Sequence, residues 1–127
     1  MDSLLSGRRI LLVEDEVMVS WALEQAIVSL DCVVVGPAAR IKQALAMIET
    51  EVFDAALLDI NLNGEKSYPV ADALIARGMP FVFSTGYNRD STPHGYEGCP
   101  RLQKPFSIPE LSDALTRLLT AQPQAPQ

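Results

Sequence analysis

The sequence has little of what binds nucleic acids, membranes or soft metal ions. Its 127 residues include only 10 Lys and Arg, which are scattered, against 16 Asp and Glu, and the net charge is -6. Nucleic acids and anionic membranes attract clustered basic residues, so binding to either is not expected. Two cysteines, Cys32 and Cys99, and one histidine, His94, are too few for a structural zinc site, which normally takes four such ligands.

Long apolar runs are also missing. No stretch approaches the ~20 apolar residues that cross a bilayer, and residues 1–7 are too short and polar for a signal peptide. We therefore expect a cytoplasmic protein with reduced cysteines. The length suits one domain, which we place at residues 8–121. Residues 122–127 lack core formers, and we expect a disordered tail there.

Four short apolar runs predict β-strands, and none of them alternates apolar with polar residues. Strands that are buried on both faces have this pattern, as in parallel sheets. A weaker fifth candidate follows near the end of the chain. The runs are residues 10–13, 32–35, 55–58 and 81–83, and the weaker one is 101–103.

Apolar residues repeat at helical spacing between and after these runs. The last helix is the best marked, because Ser107 and Glu110 form an S-x-x-E capping box. Residues 87–100 are rich in Pro and Gly and have no apolar period, so the fourth helix of the series should be short or disordered. Strands alternating with helices predict an α/β fold with a doubly wound, five-stranded parallel sheet.

Polar residues follow four of the predicted strands, at the edge where open parallel sheets bind ligands. Converging carboxylates repel one another unless a cation neutralises them, and oxygen ligands favour a hard ion such as Mg²⁺. One carboxylate can then act as a nucleophile for a phosphoryl group, with a lysine stabilising the charge. The residues are Glu14, Asp15 and Glu16, then Asp59 and Asn61, then Ser84 and Thr85, and finally Lys104.

Four motifs in this order resemble the receiver domain of two-component response regulators. They are LLVEDE at 11–16, LLDINL at 57–62, TG at 85–86 and KPF at 104–106. Each motif is short, but the resemblance covers nearly the whole chain. It implies the flavodoxin-like receiver topology and a single-domain signalling protein. Such a protein takes a phosphoryl group from a histidine kinase or histidine phosphotransfer protein, as in a phosphorelay.

The resemblance also implies the roles of single residues at the phosphoryl site. Asp59 would be the phosphoacceptor. Thr85 would hydrogen-bond the phosphoryl group, Lys104 would pair with it, and Gly86 would leave room for it. The peptide bond between Lys104 and Pro105 is expected to be cis.

A second set of implied roles concerns the metal ion. Asp15 would bind Mg²⁺ directly, together with Asp59. Glu14 would assist, and Asn61 would offer its backbone carbonyl. Glu16 is interpreted only as a favourable charge at a helix N-terminus.

The sequence departs from the common receiver pattern in its switch residues. Many receivers carry an aromatic residue three positions before the lysine, where this chain has Arg101. The segment FSTGY at 83–87 instead resembles a subgroup of receivers with an F-x-T-G-Y signature, whose fourth helix is shortened or disordered. Two alternatives follow: Tyr87 replaces the usual aromatic, or its loop becomes ordered on phosphorylation.

One face of the first predicted helix carries apolar residues that the core does not need. Val17, Trp21 and Val28 fall opposite the core-facing residues at 100° per residue. Exposed apolar side chains often mark partner surfaces. We hypothesise that Val17 and Trp21 contact the histidine phosphodonor or a second copy, the alternative being that Trp21 folds over a neighbouring helix.

Three other functions remain as alternatives. A receiver fold that only binds partners, without phosphorylation, is opposed by the intact acidic and lysine positions. An aspartyl phosphatase or phosphotransferase would need a second acid near the nucleophile, where Asn61 stands. A flavin-binding protein would need a phosphate-binding loop after the first strand, where Glu14, Asp15 and Glu16 stand. Enzymatic turnover beyond self-phosphorylation and self-dephosphorylation is not expected.

Overall fold

A computed structural model of the chain describes residues 4–86 and 95–120. In chain order the elements are β1 (Arg9–Val13), α1 (Val17–Ser29), β2 (Val33–Ala38), α2 (Ile41–Thr50), β3 (Ala55–Asp59), β4 (Asn61–Leu62), β5 (Glu65–Lys66), α3 (Tyr68–Ala76), β6 (Phe81–Thr85), β7 (Arg101–Gln103) and α4 (Ile108–Thr120). Five strands form a parallel sheet in the order β2-β1-β3-β6-β7, and a separate two-stranded sheet joins β4 to β5. None of the helices in the described ranges is long and apolar enough to span a membrane.

Helices cover both faces of the five-stranded sheet. On one face, Leu23 and Ile27 of α1 and Leu111 and Leu115 of α4 pack with alternate residues of the central strands, such as Leu12. On the other face, α2 and α3 pack against the remaining residues of the same strands. The predicted doubly wound α/β fold is therefore confirmed.

The second apolar run was predicted to be buried on both faces, and that prediction is wrong for β2. This strand lies at the edge of the sheet, and Val33 is 42% exposed. The strand also begins one residue later than the run. Cys32 instead closes the end of α1, because its N–H donates to the carbonyl of Ile27. The apolar run therefore predicted the strand but not the exposure of its side chains.

The last helix starts as the capping box predicts. The N–H of Glu110 donates to Ser107 Oγ at 3.1 Å, and the N–H of Ser107 donates to Glu110 Oε1 at 2.7 Å. Residues 95–100, the described part of the Pro/Gly-rich segment, contain turns and no helix. The prediction for residues 87–94 and that of a disordered tail at 122–127 lie outside the described residues.

A two-residue hairpin between β4 and β5 was not foreseen. Asn61 pairs with Lys66 and Leu62 pairs with Glu65. Asn63 and Gly64 form the turn with φ of 52° and 84°, the left-handed region that two-residue hairpin turns require. The hairpin stands directly after β3, at the edge of the sheet where the polar residues gather.

Candidate functional site

The ends of three strands bring two carboxylates and a lysine together. Glu14 follows β1, Asp59 ends β3, and Lys104 follows β7. Lys104 Nζ lies 3.1 Å from Glu14 Oε1 and 3.5 Å from Asp59 Oδ2. Glu14 and Asp59 are both buried, so this ammonium compensates charges that water reaches poorly.

Asp15 completes an acidic group that fits a hard divalent cation. Carboxylate oxygens of Glu14, Asp15 and Asp59 all lie within 4.8 Å of one another. Three carboxylates and one ammonium leave the group with excess negative charge, and all of its ligands are oxygens. This is the donor set that Mg²⁺ takes, with few carboxylates and retained waters.

The hairpin after β3 holds two of these carboxylates through its backbone. The N–H of Asn61 donates to Asp59 Oδ1 at 3.3 Å. The N–H of Asn63 donates to Asp15 Oδ2 at 2.7 Å. Sequence analysis missed Asn63, although the Asn-Gly pair at 63–64 is a strong signal for a hairpin turn.

The electrostatics of the site raise two pKa values. Burial raises the pKa of Asp59 to about 7, and the charge of Glu14 adds to the shift, while Lys104 and the N–H of Asn61 oppose it. Burial lowers the pKa of Lys104, but the charges of Asp59 and Glu14 outweigh it, and the pKa lies above its usual value. The lysine is therefore a permanent cation, whereas Asp59 is costly to ionise without further positive charge.

The end of β6 supplies a hydroxyl and an open space. Thr85 is buried, and its hydroxyl donates to the carbonyl of Leu102 at 3.4 Å. Among the residues that the structure describes, none has an atom within 4 Å of a Cβ added to Gly86, so they leave the space beside this glycine open. The N–H of Lys104 donates to the carbonyl of Thr85 at 2.8 Å, and the Lys104–Pro105 bond is cis, as the resemblance predicted.

A serine that the sequence analysis did not single out also contacts the acceptor strand. Ser67 is fully buried at the start of α3, and its hydroxyl donates to the main-chain carbonyl of Asp59 at 2.6 Å. A serine just before a helix predicts a cap, so its position gave no signal of this contact.

A groove of about 1090 Å³ runs from the acidic group along α1 to the start of α4. Asp59 and Lys104 line one end of it, and Met18, Phe106 and Ile108 are among its apolar residues. Beside it, Val17 is 80% exposed and Trp21 is 62% exposed. The predicted exposure of this face is therefore confirmed, and the alternative that Trp21 is covered by a neighbouring helix is not supported.

The predicted site residues divide into three groups. Glu14, Asp15, Asp59 and Lys104 meet at the sheet edge, with Asn61 beside them. Thr85 and Gly86 lie at the end of the next strand, and Arg101 is exposed on β7. Tyr87 lies outside the described residues, so its proposed switch role stays a prediction.

The receiver class of signalling domains is defined by a parallel α/β sheet with an acidic group and a lysine at its strand ends. The sequence profile of the response regulator receiver domain matches residues 10–116. The chain belongs to this family, whose members are signalling proteins and not conventional enzymes. No protein with curated annotation matches the sequence significantly.

Solved structures agree with this assignment. The solution structure of SdrG from Sphingomonas melonis Fr1 has 45% identity and a TM-score of 0.80, covering 94% of this chain and 100% of that one. A BeF3-activated conformation of SdrG from Pseudomonas melonis Fr1 has 45% identity, a TM-score of 0.77, and coverage of 91% and 98%. The receiver domain of the sensor histidine kinase PA1611 from Pseudomonas aeruginosa PAO1, with magnesium in its active-site cleft, has 27% identity, a TM-score of 0.76, and coverage of 91% and 100%.

Proposed function

We propose that the chain is a phosphoacceptor domain that takes a phosphoryl group on Asp59. The donor is the phosphohistidine of a histidine kinase or a histidine phosphotransfer protein, and the reaction depends on Mg²⁺. The observation that carries the proposal is the position of Lys104, between the buried carboxylates of Asp59 and Glu14. A cytoplasmic location belongs to the same proposal.

The acidic group would hold the metal ion. Asp15 and Asp59 would ligate it through their carboxylates, Asn61 would offer its backbone carbonyl, and Glu14 would assist from beside Lys104. The ion, when bound, supplies positive charge that favours ionised Asp59 and stabilises the charge of the transferring phosphoryl group. The BeF3-activated and magnesium-containing relatives support this assignment by analogy.

The chemical step is a displacement at phosphorus. An ionised oxygen of Asp59 attacks the phosphorus atom, a new P–O bond forms, and the P–N bond to the donor imidazole breaks. The electron pair of that bond leaves on the imidazole nitrogen. Lys104 stays protonated, because the neighbouring carboxylates raise its pKa, and it can pair with a phosphoryl oxygen.

Thr85 and Gly86 would respond to the new group. The open space beside Gly86 admits phosphoryl oxygens, and the Thr85 hydroxyl can exchange its bond with Leu102 for one to such an oxygen. This exchange would alter the contact between β6 and β7. Protein contacts at the loop after Thr85, β7 and α4 would carry the output.

The groove beside α1 would receive the donor. It is continuous with the acceptor, since Asp59 and Met18 line the same groove, and Val17 and Trp21 present apolar area beside it. A helix that carries the phosphohistidine would lie there, with apolar side chains against this face. The exposed apolar face of α1 is thus assigned to donor recognition.

A small phosphodonor tests the proposal without a partner protein. Wild type, Asp59→Asn and Asp113→Asn are incubated with acetyl phosphate and Mg²⁺, and the acid-stable, base-labile adduct is measured by mass spectrometry. Asp113 is an exposed carboxylate on α4, paired with Arg117, and serves as the control. We expect the adduct in wild type and Asp113→Asn, and its loss in Asp59→Asn and after chelation of Mg²⁺. A wild type without an adduct would favour the alternative of a receiver fold that only binds partners, without phosphorylation.

A further inference from the structure

Ser67 makes two hydrogen bonds to the acceptor segment. Its hydroxyl donates to the main-chain carbonyl of Asp59 at 2.6 Å, and its N–H donates to the carbonyl of Ile60 at 2.7 Å. The side chain is fully buried, so water does not compete for these bonds. A short bond in a dry environment holds its two partners in a defined geometry.

The orientation of this hydroxyl is unusual for its place in the chain. Serine is favoured before a helix because its oxygen can accept a bond from the first turn. Ser67 makes no such side-chain cap, and the N–H of Val70 bonds to its carbonyl instead. Ser107, at the start of α4, uses its hydroxyl as a cap. The hydroxyl of Ser67 therefore acts on β3 and not on its own helix.

The bond from Ser67 closes the base of the hairpin that reaches the acidic group. From residue 59 to residue 67 the chain leaves β3, forms β4 and β5, and returns to α3. Within this loop, the N–H of Asn61 contacts the carboxylate of Asp59, and the N–H of Asn63 contacts that of Asp15. Fixing the base of the loop fixes both contacts.

We propose that Ser67 is a positioning residue for phosphoryl acceptance. Its hydroxyl fixes the peptide plane that follows Asp59, and this plane sets the direction of the acceptor carboxylate and of the hairpin above it. The same bond aligns Asp15 through Asn63, and it places the carbonyl of Asn61. This inference rests on the proposed function, since it concerns how the acceptor is held.

The test compares variants that differ in the hydroxyl of Ser67. Ser67→Ala removes it, and Ser67→Thr retains it. Ser67→Cys keeps a side chain of similar size that is only a weak donor. It is measured in place of Ser67→Ala if Ser67→Ala does not fold. Ser20→Ala is the matched control, because Ser20 is also buried and its hydroxyl bonds to Glu24, within α1.

The readout is the initial rate of adduct formation with acetyl phosphate over a range of Mg²⁺ concentrations. Urea unfolding of each variant is measured in parallel. Loss of a residue that orients metal ligands typically costs about 10- to 100-fold in metal affinity or activity. We therefore expect Ser67→Ala to lower the rate or the apparent Mg²⁺ affinity by roughly tenfold or more. Ser67→Thr should restore much of it, and Ser20→Ala should match wild type.

The outcomes separate this inference from the proposed function. If wild type forms no adduct, the proposed function fails and the role of Ser67 fails with it. If wild type forms the adduct and folded Ser67→Ala matches it in rate and Mg²⁺ dependence, only the inference about Ser67 is overturned. An equal loss in Ser20→Ala would also overturn it, because the effect would then follow from stability alone.

Discussion

The hydroxyl of Thr85 donates a hydrogen bond to the main-chain carbonyl of Leu102, and the two oxygens are 3.4 Å apart. Leu102 lies on β7, in register with Ser84 of β6. A separation of 3.4 Å is long for an O–H···O bond, so this one is weak. A phosphoryl oxygen would offer the same hydroxyl a charge-assisted and stronger bond.

Phosphorylation should therefore move β7 through Thr85. We expect amide NMR shifts of Leu102 and Gln103 to change when Mg²⁺ and acetyl phosphate are added to wild type. Thr85→Ala should accept the phosphoryl group but show much smaller changes at these two residues. Thr85→Ser keeps the hydroxyl and should respond as wild type does. Equal responses in Thr85→Ala and wild type would show that the hydroxyl does not carry the signal.

Asp59→Asn should stabilise the protein in the absence of Mg²⁺, and more so as the pH rises. The pKa of Asp59 is raised from 3.8 to about 7 in the folded state. Between these values the folded protein holds a proton that the unfolded chain has lost, so the wild type loses stability with rising pH. Asparagine does not titrate and escapes this loss.

The measurement is the free energy of unfolding in urea between about pH 4 and pH 8. The advantage of Asp59→Asn over wild type should grow up to about pH 7, the value to which the Asp59 pKa is raised, and then level off. Asp113→Asn should show no such trend, since Asp113 is solvent-exposed on α4. A difference between Asp59→Asn and wild type that is constant with pH would contradict the burial of an ionisable Asp59.

Trp21→Glu should slow transfer from a protein donor and leave small-molecule phosphorylation unchanged. The substitution places a charge on the apolar face beside the groove, where Trp21 is 62% exposed. Interface tryptophans are often worth 2 kcal/mol or more, which is roughly a 30-fold change in affinity.

A panel of purified, phosphorylated histidine kinases identifies the fastest donor, and its transfer rate is then compared between variants. Val52→Glu is the control, because Val52 is 74% exposed but lies outside α1. We expect a slower transfer rate for Trp21→Glu and an unchanged rate for Val52→Glu. If both variants slow transfer equally, or neither does, the donor does not dock on this face.

Tyr96 should ionise at a higher pH than a tyrosine that is free in water. Its hydroxyl donates to Asp72 Oδ1 at 2.6 Å, and this bond is the main cause that raises its pKa from 10.0 to about 12. Because the folded pKa is raised, the stabilisation is complete below about pH 10 and is lost as the pH rises through about 12.

Tyrosinate absorbance during an alkaline titration tests this assignment. Tyr96→Phe should remove the step near pH 12, whereas Tyr68→Phe should keep it. The ring of Tyr96 stacks on Tyr68 with centroids 5.0 Å apart, so both variants perturb the same cluster. Loss of a step near pH 10 in Tyr96→Phe would mean that Tyr96 is not bonded to Asp72.

The sequence alone was sufficient to predict the site residues whose positions follow from the sheet. Asp59 and Lys104 could be found because parallel strands end at one edge, and a polar residue directly after an apolar run falls at that edge. The capping box of Ser107 and Glu110 is local, so its bonds follow from spacing alone. These features follow from local spacing or from the common edge of parallel strands, and not from particular side-chain contacts.

Other features depend on contacts that the sequence does not record. Strands of two residues are too short to show a period, so the hairpin carrying Asn63 escaped notice despite its turn signal. The hydroxyl of Ser67 could have capped α3, but in the folded chain it donates to the carbonyl of Asp59 instead. The edge position of β2 depends on which strands pair, and side-chain pattern carries little of that information.

Both edges of the sheet are poorly suited to adding another strand. On β2, Pro37 has no N–H to donate, and β7 is only three residues long, with Arg101 and Gln103 exposed. Short or proline-containing edges resist pairing with other chains. The edge strands of this protein are therefore expected to resist edge-to-edge pairing with other chains.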